Sequence, residues 1–202
     1  MKDHTSPPEA VKLRDARKTD CAELAELVDI AGEGLPCYHW RQIAEPGQDL
    51  REVGRERAAR ESGSFSYRNG IIAETDGRVV GALVGYPIAT APDAIDSGST
   101  PPMWIPLLEL ESIAADTWYI NTVAVFPEAR GLGVGSKLMR WAQQKTSDLG
   151  LRGTSLIVSD ANLGARRLYG HLGYEEVAAR PMVKEQWQND GENWVLMMRS
   201  SK

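Results

Sequence analysis

One stretch of the sequence restricts the possible folds more than any other: residues 123–139 read VAVFPEARGLGVGSKLM. The order of residue types predicts a buried strand, a proline turn, a glycine-rich loop and the start of a helix. Glycine lets a ligand approach the backbone closely, and the free amides at a helix start attract anions with the helix dipole behind them. We therefore expect an α/β protein that binds a phosphate or pyrophosphate group at this loop.

Two familiar nucleotide-binding patterns do not fit this loop. The Walker pattern needs Lys and then Ser or Thr after the last glycine, whereas here the order is Gly135, Ser136, Lys137. The dinucleotide fingerprint needs a third glycine three places after Gly133, and that place holds Ser136. A nucleotide-dependent enzyme therefore remains only as a rival hypothesis.

The rest of the chain predicts a single mixed α/β domain over residues 11–202, after a loose start at residues 1–10. Asp20 and Glu23 have the spacing of a capping box before a first helix, and Asp76-Gly77 is suited to a tight hairpin. Residues 33–40 are expected to form a turn that carries aromatic side chains, and residues 87–117 an inserted acidic loop. The predicted strands are 11–14, 71–75, 78–86, 118–125, 154–158, 174–179 and 194–199, and the predicted helices are 21–31, 49–61, 134–149 and 161–172.

Composition disfavours several classes of protein. The chain has 23 Lys and Arg against 28 Asp and Glu, a net charge of −5, which disfavours a generally basic nucleic-acid binder. The apolar runs are far shorter than the roughly 20 residues that span a bilayer. Two cysteines and no recognisable leader favour a reduced, cytoplasmic protein. We expect no nucleic-acid partner, no membrane partner and no bound metal.

Arg130, Gly133 and Gly135 fit the pattern Arg or Gln, two residues, Gly, one residue, then Gly or Ala. This segment resembles the acetyl-CoA loop of the GNAT superfamily of N-acetyltransferases. A second match, from Asn162 through Tyr169 to Tyr174, lies at the distance usual in that family. The resemblance implies the GNAT acyl-CoA N-acyltransferase fold: a central mixed sheet of about six to seven strands flanked by about four to five helices.

The resemblance also implies where the cosubstrate acetyl-CoA binds. In the family the fourth and fifth strands separate, so that backbone groups of the fourth strand are free to hold the pantetheine arm. Seven basic and only two acidic residues between positions 129 and 172 would attract the phosphates of coenzyme A. The implied cofactor-binding residues are Val123, Ala124, Val125, Arg130, Gly131, Leu132, Gly133, Val134, Gly135, Ser136, Asn162, Ala165 and Tyr169.

Acetyl transfer needs a general acid, a group that stabilises charge on the carbonyl oxygen, and a general base. The resemblance makes Tyr169 the acid for the departing thiolate, and a backbone N–H near Val125 the oxyanion donor. Asn162 would bond the pantetheine arm or a water, or would simply cap its helix. The base stays open: Asp116 and Glu111 are favoured, with Glu109, Glu33 and a water chain as alternatives.

The acceptor site implied by the family lies between the turn after the first helix, the loop before the fourth strand and the C-terminal strands. Here those segments contribute Glu33, Tyr38, His39 and Trp40, with Trp104 from the loop. Aromatic and acidic side chains suit a cationic amine, and residues 87–117 hold five acidic and no basic residues. We expect the acceptor to be a cationic small-molecule or peptide amine that attacks the thioester of acetyl-CoA directly in a ternary complex.

Two further expectations complete the sequence-based hypothesis. The alternative function is a non-catalytic acyl-CoA sensor of the same fold. A homodimer is possible, because residues 194–198 could form an edge strand that pairs with a second copy.

Overall fold

The computed structural model describes residues 10–88, 95, 98 and 100–201. Within these residues the chain forms seven strands and six helices. The predicted loose segment 1–10 lies almost wholly outside them, so its conformation stays a prediction. The elements are β1 (Lys12–Asp15), α1 (Cys21–Ala31), α2 (Leu35–Ile43), α3 (Leu50–Ala58), β2 (Gly70–Thr75), β3 (Arg78–Ile88), α4 (Ile105–Ile113), β4 (Thr117–Val125), α5 (Val134–Asp148), β5 (Gly153–Ser159), α6 (Leu163–His171), β6 (Glu175–Pro181) and β7 (Asn193–Ser200).

The strands form one mixed sheet in the order β1-β2-β3-β4-β5-β7-β6, which confirms the predicted fold class. The pair β4 and β5 is parallel, and every other neighbouring pair is antiparallel. Asp76 and Gly77 both have positive φ, 48° and 70°, as a tight two-residue hairpin requires. The predicted hairpin of β2 and β3 is therefore confirmed.

Helices cover both faces of the sheet because side chains alternate along each strand. Ile71 and Leu83 point to the face that packs against α5, whereas Ile72 and Val84 point to the face that packs against α1. A third apolar cluster joins α4 to β7 and includes the fully buried Leu110 and Leu196. No helix in the described part of the chain is both long and apolar enough to cross a membrane.

Two sequence predictions about helices are wrong. Residues 35–43 form helix α2 and not a turn, because Pro36 falls in the first helical turn, where its missing N–H is tolerated. Asp20 does not cap α1 with its side chain. Its carboxylate instead accepts from the Arg17 N–H (2.6 Å) and from the Arg14 guanidinium (2.7 Å).

The segment before β4 also differs from the prediction. Residues 105–113 of the predicted acidic loop form helix α4, in which Leu110 is fully buried. Asp93 and Asp96 of that loop lie outside the described residues.

The predicted edge strand at residues 194–198 is wrong. These residues belong to β7, which pairs with β5 on one side and β6 on the other. The edges of the sheet are β1 and β6. The reason for expecting a dimer through this strand is thereby removed.

Candidate functional site

The parallel pair β4 and β5 separates part of the way along its length. Pairing runs from Thr117 with Gly153 to Ile120 with Leu156 and stops there, although both strands continue. A bulge in β4 falls at this point, because Val84 pairs with Thr122 and Gly85 with Ile120, which leaves Asn121 as the extra residue. The gap beyond it opens into a cavity of about 440 Å³.

Backbone groups of β4 face this gap. The Phe126 N–H donates to the Val80 carbonyl (3.0 Å), so Ala124 and Thr122, two and four residues back, also exchange hydrogen bonds with β3. The N–H and C=O groups of the alternate residues, Val123 and Val125, consequently point away from β3 and into the gap. These strand residues can hold an extended ligand by backbone hydrogen bonds.

The glycine loop lies at the end of β4. Gly131 and Gly133 have φ of 78° and 77°, the left-handed region that favours glycine, and a Cβ built on either meets nothing within 4 Å. The first helical hydrogen bond of α5 runs from the Lys137 N–H to the Gly133 carbonyl. The amides of Val134, Gly135 and Ser136 precede it and have no acceptor within the helix, an arrangement suited to binding an anion.

Two side chains frame this loop. The Arg130 Nε donates to the Val125 carbonyl (3.3 Å), which places its guanidinium at the mouth of the gap. Leu132 is 69% exposed and lies at the tip of the loop.

Helix α6 forms the opposite wall of the gap. Asn162, Ala165 and Tyr169 all line the cavity. The Asn162 Oδ1 accepts from the Ala165 N–H (3.1 Å), so Asn162 caps the helix, while its Nδ2 donates to Glu33 (2.8 Å). Tyr169 is buried, and burial followed by the nearby Tyr174 raises its pKa well above the ordinary value. Its phenol therefore keeps its proton at neutral pH.

A second cavity, of about 600 Å³, adjoins the first. The two share the lining residues Asn121, Thr122 and Ile157 at the point where β4 and β5 separate. The walls of the second cavity are largely apolar and include six aromatic side chains, from Trp40, Phe65, Tyr86, Trp104, Tyr119 and Trp194. The two cavities thus form one continuous cleft. The first, between β4 and β5, is a compartment lined by polar backbone groups, and the second is the aromatic compartment.

Glu111 is the acidic side chain that α4 places in the aromatic compartment. Burial raises the pKa of its carboxyl to about 7, partly offset by a hydrogen bond from the Tyr119 hydroxyl. A carboxyl with this pKa exchanges a proton readily at neutral pH. Of the candidate bases, Glu111 is the one whose position in the cavity and whose pKa suit a general base at neutral pH.

The other carboxylates proposed as the base lie elsewhere. Asp116 is exposed, with a positive φ of 60°, and it precedes β4 at the end where β4 and β5 are still paired. Glu109 forms an ion pair with Arg180 (2.6 Å). Neither residue lines the cleft.

Glu33 has a different kind of environment. Its carboxylate accepts from Asn162 (2.8 Å) and from Asn189 (2.5 Å), and its carbonyl accepts from the Trp187 Nε1 (3.1 Å). These bonds tie the turn after α1 to α6 and to the connection between β6 and β7. Glu33 therefore stabilises the wall of the gap by joining these three segments through hydrogen bonds.

The three aromatic residues predicted for the acceptor site lie on α2. His39 lines the aromatic compartment, packs edge-on against Trp104 (5.4 Å between ring centroids), and has a buried Nδ1 without a described hydrogen-bond partner. Trp40 is 5% exposed and packs with Ala25 and Val53, so only part of its ring reaches the cavity. Tyr38 points elsewhere, with its hydroxyl donating to Glu185 (3.1 Å).

Sequence reasoning missed three residues of the cleft. Asn121 is the bulged residue of β4, and Tyr119 is the partner of Glu111. Arg57 lines the aromatic compartment from α3, within the stretch 49–61 for which the sequence predicted a helix but no part in the site. A bulge and the orientation of a polar helix depend on distant pairing, so no local signal marks them.

A sheet that opens between parallel strands beside a glycine-rich helix start is the arrangement that the sequence resemblance to acetyltransferases implies. The chain belongs to the acetyltransferase (GNAT) family, whose family model matches residues 35–174. Among curated proteins, an uncharacterized N-acetyltransferase from Methanocaldococcus jannaschii is 29% identical over 129 residues. That alignment covers 63% of this chain and 64% of the relative, so the chain spans just under two thirds of its length.

Solved structures show the same fold. An N-acetyltransferase from Staphylococcus aureus superposes with a TM-score of 0.62 at 17% identity, covering 93% of this chain and all of the other. A protein from Salmonella typhimurium solved with its cofactor acetyl-CoA has a TM-score of 0.59 at 17% identity, with 96% and 95% covered. These likenesses support the fold assignment made from the sequence.

Proposed function

We propose that this protein transfers the acetyl group of acetyl-CoA to the primary amine of a small molecule or peptide, by direct attack in a ternary complex. The observation that carries the proposal is the meeting of the two compartments where β4 and β5 separate. One compartment offers free backbone groups and an anion-binding helix start, and the other holds a carboxyl of raised pKa. The thioester and the amine would meet at Asn121 and Thr122, which line both.

The residues of the gap fit coenzyme A. The amides of Val134, Gly135 and Ser136, with Arg130 beside them, would bind its phosphates. Val123 and Val125 would hold the pantetheine arm along the open side of β4. Asn162 and Ala165 would bound the arm from α6.

Glu111 would act as the general base on the amine side. Its ionised carboxylate would accept a proton from the attacking ammonium group, directly or through a water, so that the neutral amine can attack the thioester carbonyl. The Val123 N–H, the free amide next to Thr122, would donate to the carbonyl oxygen as negative charge develops there. The Val125 N–H favoured from the sequence lies two residues further along the strand, towards the glycine loop. Tyr169 would then act as the general acid and donate its proton to the departing thiolate. Because the ordinary pKa of the thiol, near 8.5, is below that of this buried phenol, the transfer is completed only when the phenolate takes a proton back from solvent.

The proposal is tested by the release of CoA thiol from acetyl-CoA against amines, amino acids, aminoglycosides and peptides. We expect acceptor-dependent release, and a fall in kcat of about 100-fold or more in Tyr169→Phe. Acetyl-CoA binding, measured by calorimetry, should persist in this variant. Tyr174→Phe is the matched control, since Tyr174 packs 6.0 Å from Tyr169 between ring centroids but does not line the cleft.

Two results would favour the rival hypotheses. Tight acetyl-CoA binding without thiol release for any amine would make the protein an acyl-CoA sensor. Tighter binding of NAD or ATP than of CoA would favour a nucleotide-dependent enzyme.

A further inference from the structure

Arg57 is a cation inside the aromatic compartment. Helix α3 begins at Leu50, after the N-cap Asp49, and carries Arg57 in its last turn. The side chain is half-buried and lines the cavity together with His39 from α2. Arg57 therefore lines the space that the proposed function assigns to the acceptor.

No carboxylate neutralises this guanidinium among the residues that the structure describes. Three other partly buried arginines are paired: Arg14 with Asp20 and Glu74, Arg166 with Glu176, and Arg180 with Glu109. Arg199 is also partly buried without an ion pair in the described residues, but it does not line this cavity. The surroundings of Arg57 instead oppose its charge, because burial and the neighbouring Arg60 both lower its pKa. A cation in such a place is stabilised when an anion enters the cavity.

His39 supplies a second polar group without a partner. Its Nδ1 is buried and makes no hydrogen bond to any described residue. Burial and the charge of Arg57 lower the pKa of the imidazole and outweigh a hydrogen bond with Gln42 that raises it, so the ring stays neutral at pH 7. Arg57, without a carboxylate, and the His39 Nδ1, without a partner, thus line the same cavity.

Glu111 lines the same cavity from α4, whereas Arg57 lines it from α3. No ion pair joins the two side chains within the described part of the chain. Aromatic side chains line the cavity around both. The compartment therefore offers a carboxylate for an amine, a guanidinium for an anion, and apolar walls for the remainder of one molecule.

We propose, on the basis of the proposed function, that the acceptor is an amine carrying its own carboxylate on an apolar or aromatic body. Arg57, with His39 beside it, binds the carboxylate, and Glu111 receives the amine. This assigns the acceptor to the class of free amino-carboxylic acids with an apolar side chain. This acceptor class differs from the cationic amine that the acidic residues of segment 87–117 suggested. Of the three acidic residues of this segment that the structure describes, only Glu111 lines the cavity.

The test compares acceptors in matched pairs that differ by the carboxylate: phenylalanine with phenethylamine, leucine with isopentylamine, and 6-aminohexanoate with pentylamine. Phenylalaninamide carries a neutral amide of similar size in place of the carboxylate, so it separates the effect of charge from the effect of size. We expect kcat/KM to favour the carboxylate member by roughly 10- to 100-fold, the effect of a charge-assisted hydrogen bond. Arg57→Met should abolish this preference, by lowering kcat/KM for the carboxylate member of each pair.

Two variants serve as controls. Arg55→Met removes an exposed arginine from the same helix, paired with Glu52 and outside the cavity, and should leave the preference unchanged. Arg57→Lys keeps the charge but loses the planar fork, and should retain part of the preference. Calorimetric binding of acetyl-CoA to each variant shows that the fold is intact.

The outcomes separate this inference from the proposed function. Thiol release that favours the decarboxylated amines, or a preference for carboxylates that survives Arg57→Met, would overturn the assignment of Arg57 while the acetyltransferase proposal stands. Binding of 3-phenylpropanoate, which has no amine, gives a readout free of catalysis. We expect it to bind the wild-type protein and to weaken at least tenfold in Arg57→Met, and equal binding to both would refute the anion site.

Discussion

Replacement of Glu111 by Gln should raise the free energy of unfolding at alkaline pH and leave it nearly unchanged at acid pH. The folded protein holds the pKa of Glu111 near 7 by burial, against an ordinary value of 4.5. Between these values the folded state binds more protons than the unfolded state, so this group lowers stability as pH rises from about 4.5 to 7. Above pH 7 the buried carboxylate destabilises the fold by its full amount.

The difference of about 2.5 units corresponds to about 3 kcal/mol, an upper bound because water at the cavity mouth screens the charge. Urea unfolding at pH 5 and pH 8.5 measures it by linear extrapolation. At pH 5 we expect the variant Glu111→Gln and the wild type to have nearly equal free energies of unfolding. At pH 8.5 the free energy of unfolding of the variant should be higher by up to about 3 kcal/mol. Glu175→Gln, at an exposed position on the edge strand β6, is the matched control and should show no such gain.

The same substitution, Glu111→Gln, should slow catalysis although it raises stability. With saturating acetyl-CoA, the wild-type kcat/KM should rise with pH through about 7 as Glu111 ionises, and Glu111→Gln should lose both that rise and about 100-fold or more in rate. A stability difference that does not change with pH, or a variant that keeps the wild-type pH profile, would refute the assignment of Glu111 as the base.

Three other substitutions test separate parts of the structure. Gly133→Ala should destabilise the protein by about 1–2 kcal/mol, since its φ of 77° strains any residue with a Cβ, and calorimetry should show weaker acetyl-CoA binding. Asp20→Asn should destabilise the fold at pH 7 by about 1–3 kcal/mol. Because Arg14 holds the pKa of Asp20 below its usual range, that loss should vanish as pH falls through this pKa, which thermal unfolding at pH 7 and pH 2.5 can follow. Glu33→Gln should weaken the ties to Asn162 and Asn189 and speed amide hydrogen exchange in the connection before β7.

The elements near the glycine loop could be predicted from the sequence because local patterns determine them. Asp76-Gly77 has the conformation that a tight hairpin needs, and Gly133 has the positive φ that ends the turn before α5. Helix α2 was missed because Gly34 and Pro36 are common in turns, although Pro36 is equally suited to a first helical turn. The place of β7 inside the sheet was missed because strand order depends on pairing between distant segments.

The proposed general base shows why the sequence alone could not choose between two carboxylates. Glu111 and Asp116 are five residues apart and were equal candidates. The nine-residue helix α4 turns Glu111 into the cavity, whereas the left-handed backbone at Asp116 leaves that side chain exposed. Arg57 shows the same limit, because only the packing of α3 beside α2 distinguishes it from the solvated arginines around it.

The central claim is that the separation of β4 and β5 creates the acetyl-CoA site. Hydrogen exchange of the Val123 and Val125 amides, followed by NMR with and without acetyl-CoA, tests it most directly. Both amides face the gap, so we expect bound acetyl-CoA to slow their exchange at least tenfold while the Ala124 amide, which pairs with β3, changes little. Unchanged exchange at Val123 and Val125 under saturating acetyl-CoA would contradict the account.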